Sequence, residues 1–122
     1  MSSMLFVGEE RSAKAIAMGV HWEDGALAAK QLFDALRFAG INPSDCSFTN
    51  LFEWGGKATV RRFNGLVVGM GRKVQRELTR MKVEHVKIVH PAARGSIRLK
   101  ENYNQHVQGK LKDETKKETP KT

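Results

Sequence analysis

Gly65-Leu66-Val67-Val68-Gly69-Met70-Gly71-Arg72 is the stretch that decides the fold. Gly65 to Gly69 carries no polar side chain, and a strand apolar on both faces belongs inside a parallel sheet that helices cover above and below. A covering helix follows at once, from about Arg72 to Met81, with Val74, Leu78 and Met81 facing inward. Working outward, Val83 to Val89 supplies the next strand. Upstream, Met4-Leu5-Phe6-Val7 forms a strand closed by Gly8. Ser12 caps a short helix to Met18, and Asp24 is expected to cap a longer one. In that helix Ala28, Leu32, Ala35, Leu36 and Ala39 share one face, before Gly40 and Pro43 end it. Cys46 to Thr49 reads as another strand, and Gly55-Gly56 marks a loop beyond it. Residues 92–96 form a loop after Pro91, and a last helix is expected from Ile97 to about Leu111. From Lys112 the chain is charged and lacks a periodic apolar face, which predicts a disordered tail over 112–122. Alternating strands and helices with right-handed crossovers predict an α/β fold: a three-layer α/β/α sandwich on a small, mainly parallel four-stranded sheet in the order 2-1-3-4.

A chain of 122 residues suggests one domain, long enough to bury a core without staples. Cys46 is the single cysteine, which excludes disulfide frameworks and cysteine-built metal or iron-sulfur sites and points to a reducing cytoplasm. No run approaches the roughly 20 apolar residues of a membrane span. Charge is unevenly spread. Residues 1–56 hold four Lys and Arg against seven Asp and Glu, a net −3; residues 57–100 hold 12 against two, a net +10; residues 101–122 hold five against four, a net +1. Clustered cations of this kind suit a polyanion, from whose backbone they release counterions, although a basic solubilising face explains charge alone equally well.

Three short words stand where strands give way to loops: Gly8-Glu9, Thr49-Asn50 and His90-Pro91. In an open α/β sheet ligands bind outside the carboxyl ends of the strands, so Glu9, Asn50 and His90 are expected to meet in one crevice.

The series Phe6-Val7-Gly8-Glu9, Leu36-x-x-Ala39-Gly40-Ile41, Phe48-Thr49-Asn50, Val68-Gly69-Met70-Gly71-Arg72 and His90-Pro91 resembles the uracil-DNA glycosylase superfamily. It is most similar to the bacterial and archaeal iron-sulfur branch, with a segment after His90-Pro91 more like the single-strand-selective branch. The resemblance spans about Phe6 to Leu111 and marks 1–111 as a glycosylase-like domain. It implies that Glu9 supplies the carboxylate of the Gly-Glu turn, that Asn50 reads uracil, and that His90 opens the loop that enters DNA. Trp22, 13 residues after Glu9, falls where that branch carries the aromatic on which uracil stacks. Glu10-Arg11-Ser12 stands in place of the family's Pro-Gly after the glutamate, and the cluster cysteines are missing.

The chemistry agrees with these roles. Breaking an N-glycosidic bond builds positive charge on the sugar and negative charge on the base, so the site needs a carboxylate on one side and a donor on the other. Glu9 would orient water and stabilise the sugar cation, and His90 would donate to the base oxygen. Asn50, backed by the Gly8 turn, would pair with the uracil edge. Trp22 would stack on a base flipped out of the helix. Arg94 would enter or clamp the strand, while Arg98, Lys100, Arg72 and Lys73 bind the backbone; four neutralised phosphates imply a salt slope of about −3.6. The expected partner is DNA carrying uracil, single- or double-stranded. No cofactor or metal is expected, no membrane is involved, and the protein is expected to be a cytoplasmic monomer acting in base excision repair.

Plainer readings stand beside these. Glu9 also suits a helix N-terminus, Asn50 a turn, and His90 an ordinary loop. Trp54 is expected to cover the core, and His21, His85 and His106 to lie on the surface. Gly69-x-Gly71 lacks the further glycine and ribose-binding acid of a dinucleotide site. Cys46 has no obvious base beside it for nucleophilic catalysis. Two alternatives remain: a binding module of the same fold with weak or absent chemistry, favoured by the altered first turn, and a small flavodoxin-like nucleotide-binding protein.

Overall fold

A computed structural model describes residues 3–93, 97 and 100–118. Four strands, β1 (Met4–Gly8), β2 (Ser47–Asn50), β3 (Leu66–Met70) and β4 (Val86–Ile88), form one parallel sheet in the order β2-β1-β3-β4. The helices are α1 (Ala13–Met18), α2 (Ala28–Phe38), α3 (Gly56–Arg62), α4 (Arg72–Arg80) and α5 (Lys100–Glu118). The sheet order is the one expected from the sequence. Side chains alternate across a strand, and the two buried clusters follow that alternation. Phe6, Val68, Met70, Val86 and Ile88 face α2 (Leu32, Ala35, Leu36) and α5 (Tyr103, Val107, Leu111). Leu5, Val7 and Val67 face the opposite way, toward Val60 of α3 and Val74 and Leu78 of α4. The result is three layers. None of the helices among the described residues is long and apolar enough to cross a membrane.

The structure departs from the sequence reading at several element ends. Ser12 caps α1 as expected, accepting from the Ala15 amide at 3.1 Å. Asp24, by contrast, does not cap α2. It closes a single 3-10 turn, Trp22–Asp24, by accepting the His21 amide at 2.7 Å. Helix α2 starts four residues later behind Leu27, whose φ of 57° is unusual for a side-chain-bearing residue. β2 begins at Ser47, which leaves Cys46 just outside the strand at the sheet edge opposite the expected crevice. Helix α5 starts at Lys100 and continues past Leu111 to Glu118; residues 119–122 lie outside the described residues.

Helix α3 had no counterpart in the sequence reading. Its seven residues start at Gly56 and bury one apolar side chain, Val60, so it shows no periodic face. Its position depends on close packing: a Cβ on Gly56 would collide with the backbone carbonyl of Asn50. Only glycine lets α3 begin directly against the end of β2.

Candidate functional site

The ends of the strands carry the three words to one edge. Gly8 and Asn50 are the last paired residues of β1 and β2. The pairing runs on into the loops, where the Leu51 and Phe52 amides donate to the Gly8 and Glu9 carbonyls at 2.8 and 3.0 Å. On the other side, the Gln75 side chain donates to the carbonyls of Gly69 and Ile88, both at 2.9 Å, and so ties the ends of β3 and β4 together. His90 follows two residues after β4. The 3-10 turn of residues 22–24 then brings Trp22 over the same edge.

The Trp22 ring packs closely over Gly8. A Cβ added there would stand 2.8 Å from both the Trp22 ring and the Asn50 side-chain oxygen. The Trp22 indole N–H donates to Asn50 Oδ1 at 2.7 Å, and Asn50 Nδ2 donates to Glu53 Oε2 at 3.1 Å. The same Glu53 oxygen accepts the Arg11 amide at 2.5 Å, while Arg11 Nε stands 3.6 Å from the other oxygen. An indole N–H can only donate and an ionised carboxylate can only accept, so these two partners fix which end of the buried Asn50 amide is oxygen. One N–H and one lone pair of that amide remain for a ligand.

His90 meets the Trp22 ring edge-on, with centroids 6.0 Å apart and planes at 61°. Its Nδ1 accepts the Ala92 amide at 3.0 Å. The neutral ring therefore carries its proton on Nε2. Burial holds the imidazole below its ordinary value, and the Glu9 carboxylate partly opposes that shift. Glu9 is half-exposed and pairs with Lys73 of α4 at 3.3 Å. Both backbone polar groups of Val89, the residue before His90, are held from α5: Tyr103 donates its hydroxyl to the Val89 carbonyl at 2.8 Å, and His106 Nε2 accepts the Val89 amide at 2.9 Å.

Asn50, Trp22 and His90 line a cavity of about 240 Å³ together with Arg11, Leu27 and Ala29. Its volume is below the roughly 300 Å³ at which drug-sized pockets begin, which suits a ligand of about one heterocycle. Glu9 stands outside its lining and approaches from the Lys73 side. Among the described residues no three His, Cys, Asp or Glu side chains gather to hold a metal ion.

The remaining expected contacts are scattered. Arg72 begins α4 as an exposed residue next to Lys73. Lys100 begins α5 and pairs with Asp34 of α2 at 3.6 Å. Arg94 and Arg98 lie outside the described residues. Three expectations are overturned. Trp54 does not cover the core but is fully exposed. His85 and His106 are half-buried, His85 bonding the Val83 carbonyl at 2.9 Å and His106 bonding Val89. His21 alone of the three is exposed, and it lines the cavity. Cys46 is held inert, its thiol pushed up to about 11 by burial and by the neighbouring Asp45. Glu53, Tyr103 and His106 escaped the sequence reading. The spacings Asn50-x-x-Glu53 and Tyr103-x-x-His106 are the local signals that pair them, the second placing both side chains on one face of a helix.

Compared with protein-family models, with curated proteins and with solved structures, the chain matches none.

Proposed function

We propose that the protein is a minimal uracil-DNA glycosylase-like hydrolase acting on a base flipped out of DNA. The observation that carries this reading is the cavity at the carboxyl edge of the sheet, lined jointly by Asn50, His90 and Trp22, with Glu9 directly after β1 at the same edge. In the reaction the bond between the sugar carbon and the base nitrogen breaks as water adds to that carbon. The leaving base takes the bonding pair. Glu9 faces the positive charge that builds on the sugar, orients the attacking water and accepts the proton it loses, and the base anion is reprotonated after release. The neutral His90 donates from Nε2 to the base oxygen as negative charge collects there, a role that needs the imidazole rather than the imidazolium. The free N–H and lone pair of the Asn50 amide pair with the uracil edge. Stacking of Trp22 on the base requires its indole to turn away from Gly8 and Asn50.

A second reading, a uracil- or DNA-binding module with little or no chemistry, is favoured by two contacts. The Asn50 amide is engaged at both ends by Trp22 and Glu53, and Glu9 is tied to Lys73. One experiment separates them: an end-labelled oligonucleotide carrying one uracil, incubated with the protein and treated with alkali. The hydrolase cleaves at that site and loses cleavage in Glu9→Ala, Asn50→Ala and His90→Ala. Tight binding without cleavage at any protein concentration leaves the binding module, and failure to bind uracil-DNA at low salt removes both readings.

A further inference from the structure

The loop after β2 displays two aromatic rings that the candidate site does not use. Trp54 has a relative exposure of 102% and Phe52 of 36%. A fully exposed indole gains nothing from burial in the folded chain, so both its faces are free for a partner. Cations border the same loop, at Phe52 and on the Arg62 side of Trp54. The Lys57 and Lys73 ammonium groups stand 6.0 and 5.0 Å from the centre of the Phe52 ring. Arg62 shares a surface depression with Trp54, and a second depression joins Trp54 to Trp22 and Asn50. Of the nearby carboxylates, Glu53 is matched by Arg11 and Asn50, Glu77 by Lys57 and Arg80, and Glu9 by Lys73, while Glu23 lines the second depression.

We propose that Trp54 is a stacking platform for an unpaired nucleotide of single-stranded DNA, with Arg62 beside it for the phosphate. A free π-face with a cation nearby accepts any base in sequence-tolerant fashion. A duplex hides its base faces in the helical stack, so the platform discriminates for single strands. The depression running from Trp54 to Trp22 and Asn50 leads the same strand to the candidate site. The inference rests on the proposed function for that last link, while the stacking itself requires no chemistry.

The test uses the full chain and a fluorescein-labelled, uracil-free oligothymidylate of about 12 nucleotides, followed by anisotropy at low salt. Trp54→Ala is expected to weaken binding at least about fivefold, the lower end of the range for one stacked base, and Trp54→Phe to retain most of the affinity. Circular dichroism of both variants should match the parent, because the side chain supports no packing. Equal affinity of Trp54→Ala and parent, as expected if the ring serves a protein partner, overturns the proposal. So does absence of binding by the parent, or an equal loss on a duplex of the same length. Oligothymidylate binding that depends on Trp54, together with no cleavage of uracil-DNA, supports the platform and removes only the hydrolase. Cleavage of uracil-DNA undiminished in a Trp54→Ala variant that binds oligothymidylate like the parent removes only the platform.

Discussion

The indole nitrogen of Trp22 and the side-chain oxygen of Asn50, 28 positions apart in the chain, meet in a hydrogen bond of 2.7 Å at the carboxyl edge of the sheet. That bond orients the Asn50 amide and takes one of the two lone pairs of its oxygen. Trp22→Phe keeps a ring over Gly8 and removes the donor, and is expected to cost about 1 kcal/mol. Asn50→Ala should cost more, about 1–3 kcal/mol, because it strips a partner from both the Trp22 N–H and the Glu53 carboxylate. Urea unfolding of the two variants measures the order; an Asn50→Ala no more destabilised than Trp22→Phe contradicts it.

Gly8→Ala probes the same contact from below. The added methyl would stand 2.8 Å from the Trp22 ring and from Asn50 Oδ1, so ring and amide must both shift. Overpacking of this kind costs about 1–3 kcal/mol. A red shift of tryptophan emission in a Trp54→Phe background is expected as Trp22 lifts toward water. Unchanged emission and stability would show that the ring does not press on Gly8.

Acid should loosen the fold through two histidines. Burial holds both His90 and His106 below the ordinary value, and Lys110 adds to the effect on His106. The unfolded chain then binds more protons than the folded one, so stability rises with pH in that window. It is complete above the unfolded histidine value of about 6.5 and declines as pH falls through that value toward the lowered folded ones. Protonating His106 also destroys the acceptor that holds the Val89 amide. His106→Gln, which keeps an acceptor and cannot titrate, should flatten the decline in a series of urea midpoints from pH 7 to pH 5. An equally steep decline in that variant would assign the effect elsewhere.

Tyr103→Phe removes one hydroxyl from a fully buried ring and leaves the Val89 carbonyl without its donor. A stability loss of about 1 kcal/mol is expected, with an unchanged dependence on urea concentration. If the protein cleaves uracil-DNA, the rate should fall further than this loss explains, because Val89, the residue before His90, has lost one of its two anchors. A rate that follows the folded fraction alone would make Tyr103 a purely structural residue.

Much of this architecture is legible locally. The apolar run from Gly65 to Gly69 and the periodic faces of α2 and α4 specify which residues are buried, and the handedness of crossovers then leaves the order β2-β1-β3-β4. In a parallel sheet every strand ends at the same edge, so Gly8, Asn50 and His90 were bound to share it. Helix α3 was not legible, because a seven-residue helix with a single buried apolar side chain carries no period. Trp54 misled for a related reason: hydrophobicity states what a side chain gains from burial, and the chain can still leave it outside.

Sequence by itself therefore determined the layers, the strand order and the sheet edge at which Glu9, Asn50 and His90 stand, since these follow from periodicity and chain direction. Only the tertiary structure decided that Asn50 and His90 line one cavity with Trp22 while Glu9 stands outside its lining. Trp22 covers Gly8 and bonds the oxygen of Asn50, Lys73 takes Glu9, and Tyr103 and His106 grip Val89, the residue before His90. Each of these contacts joins residues from separate elements, and a side chain's choice among distant partners depends on packing that no local pattern records.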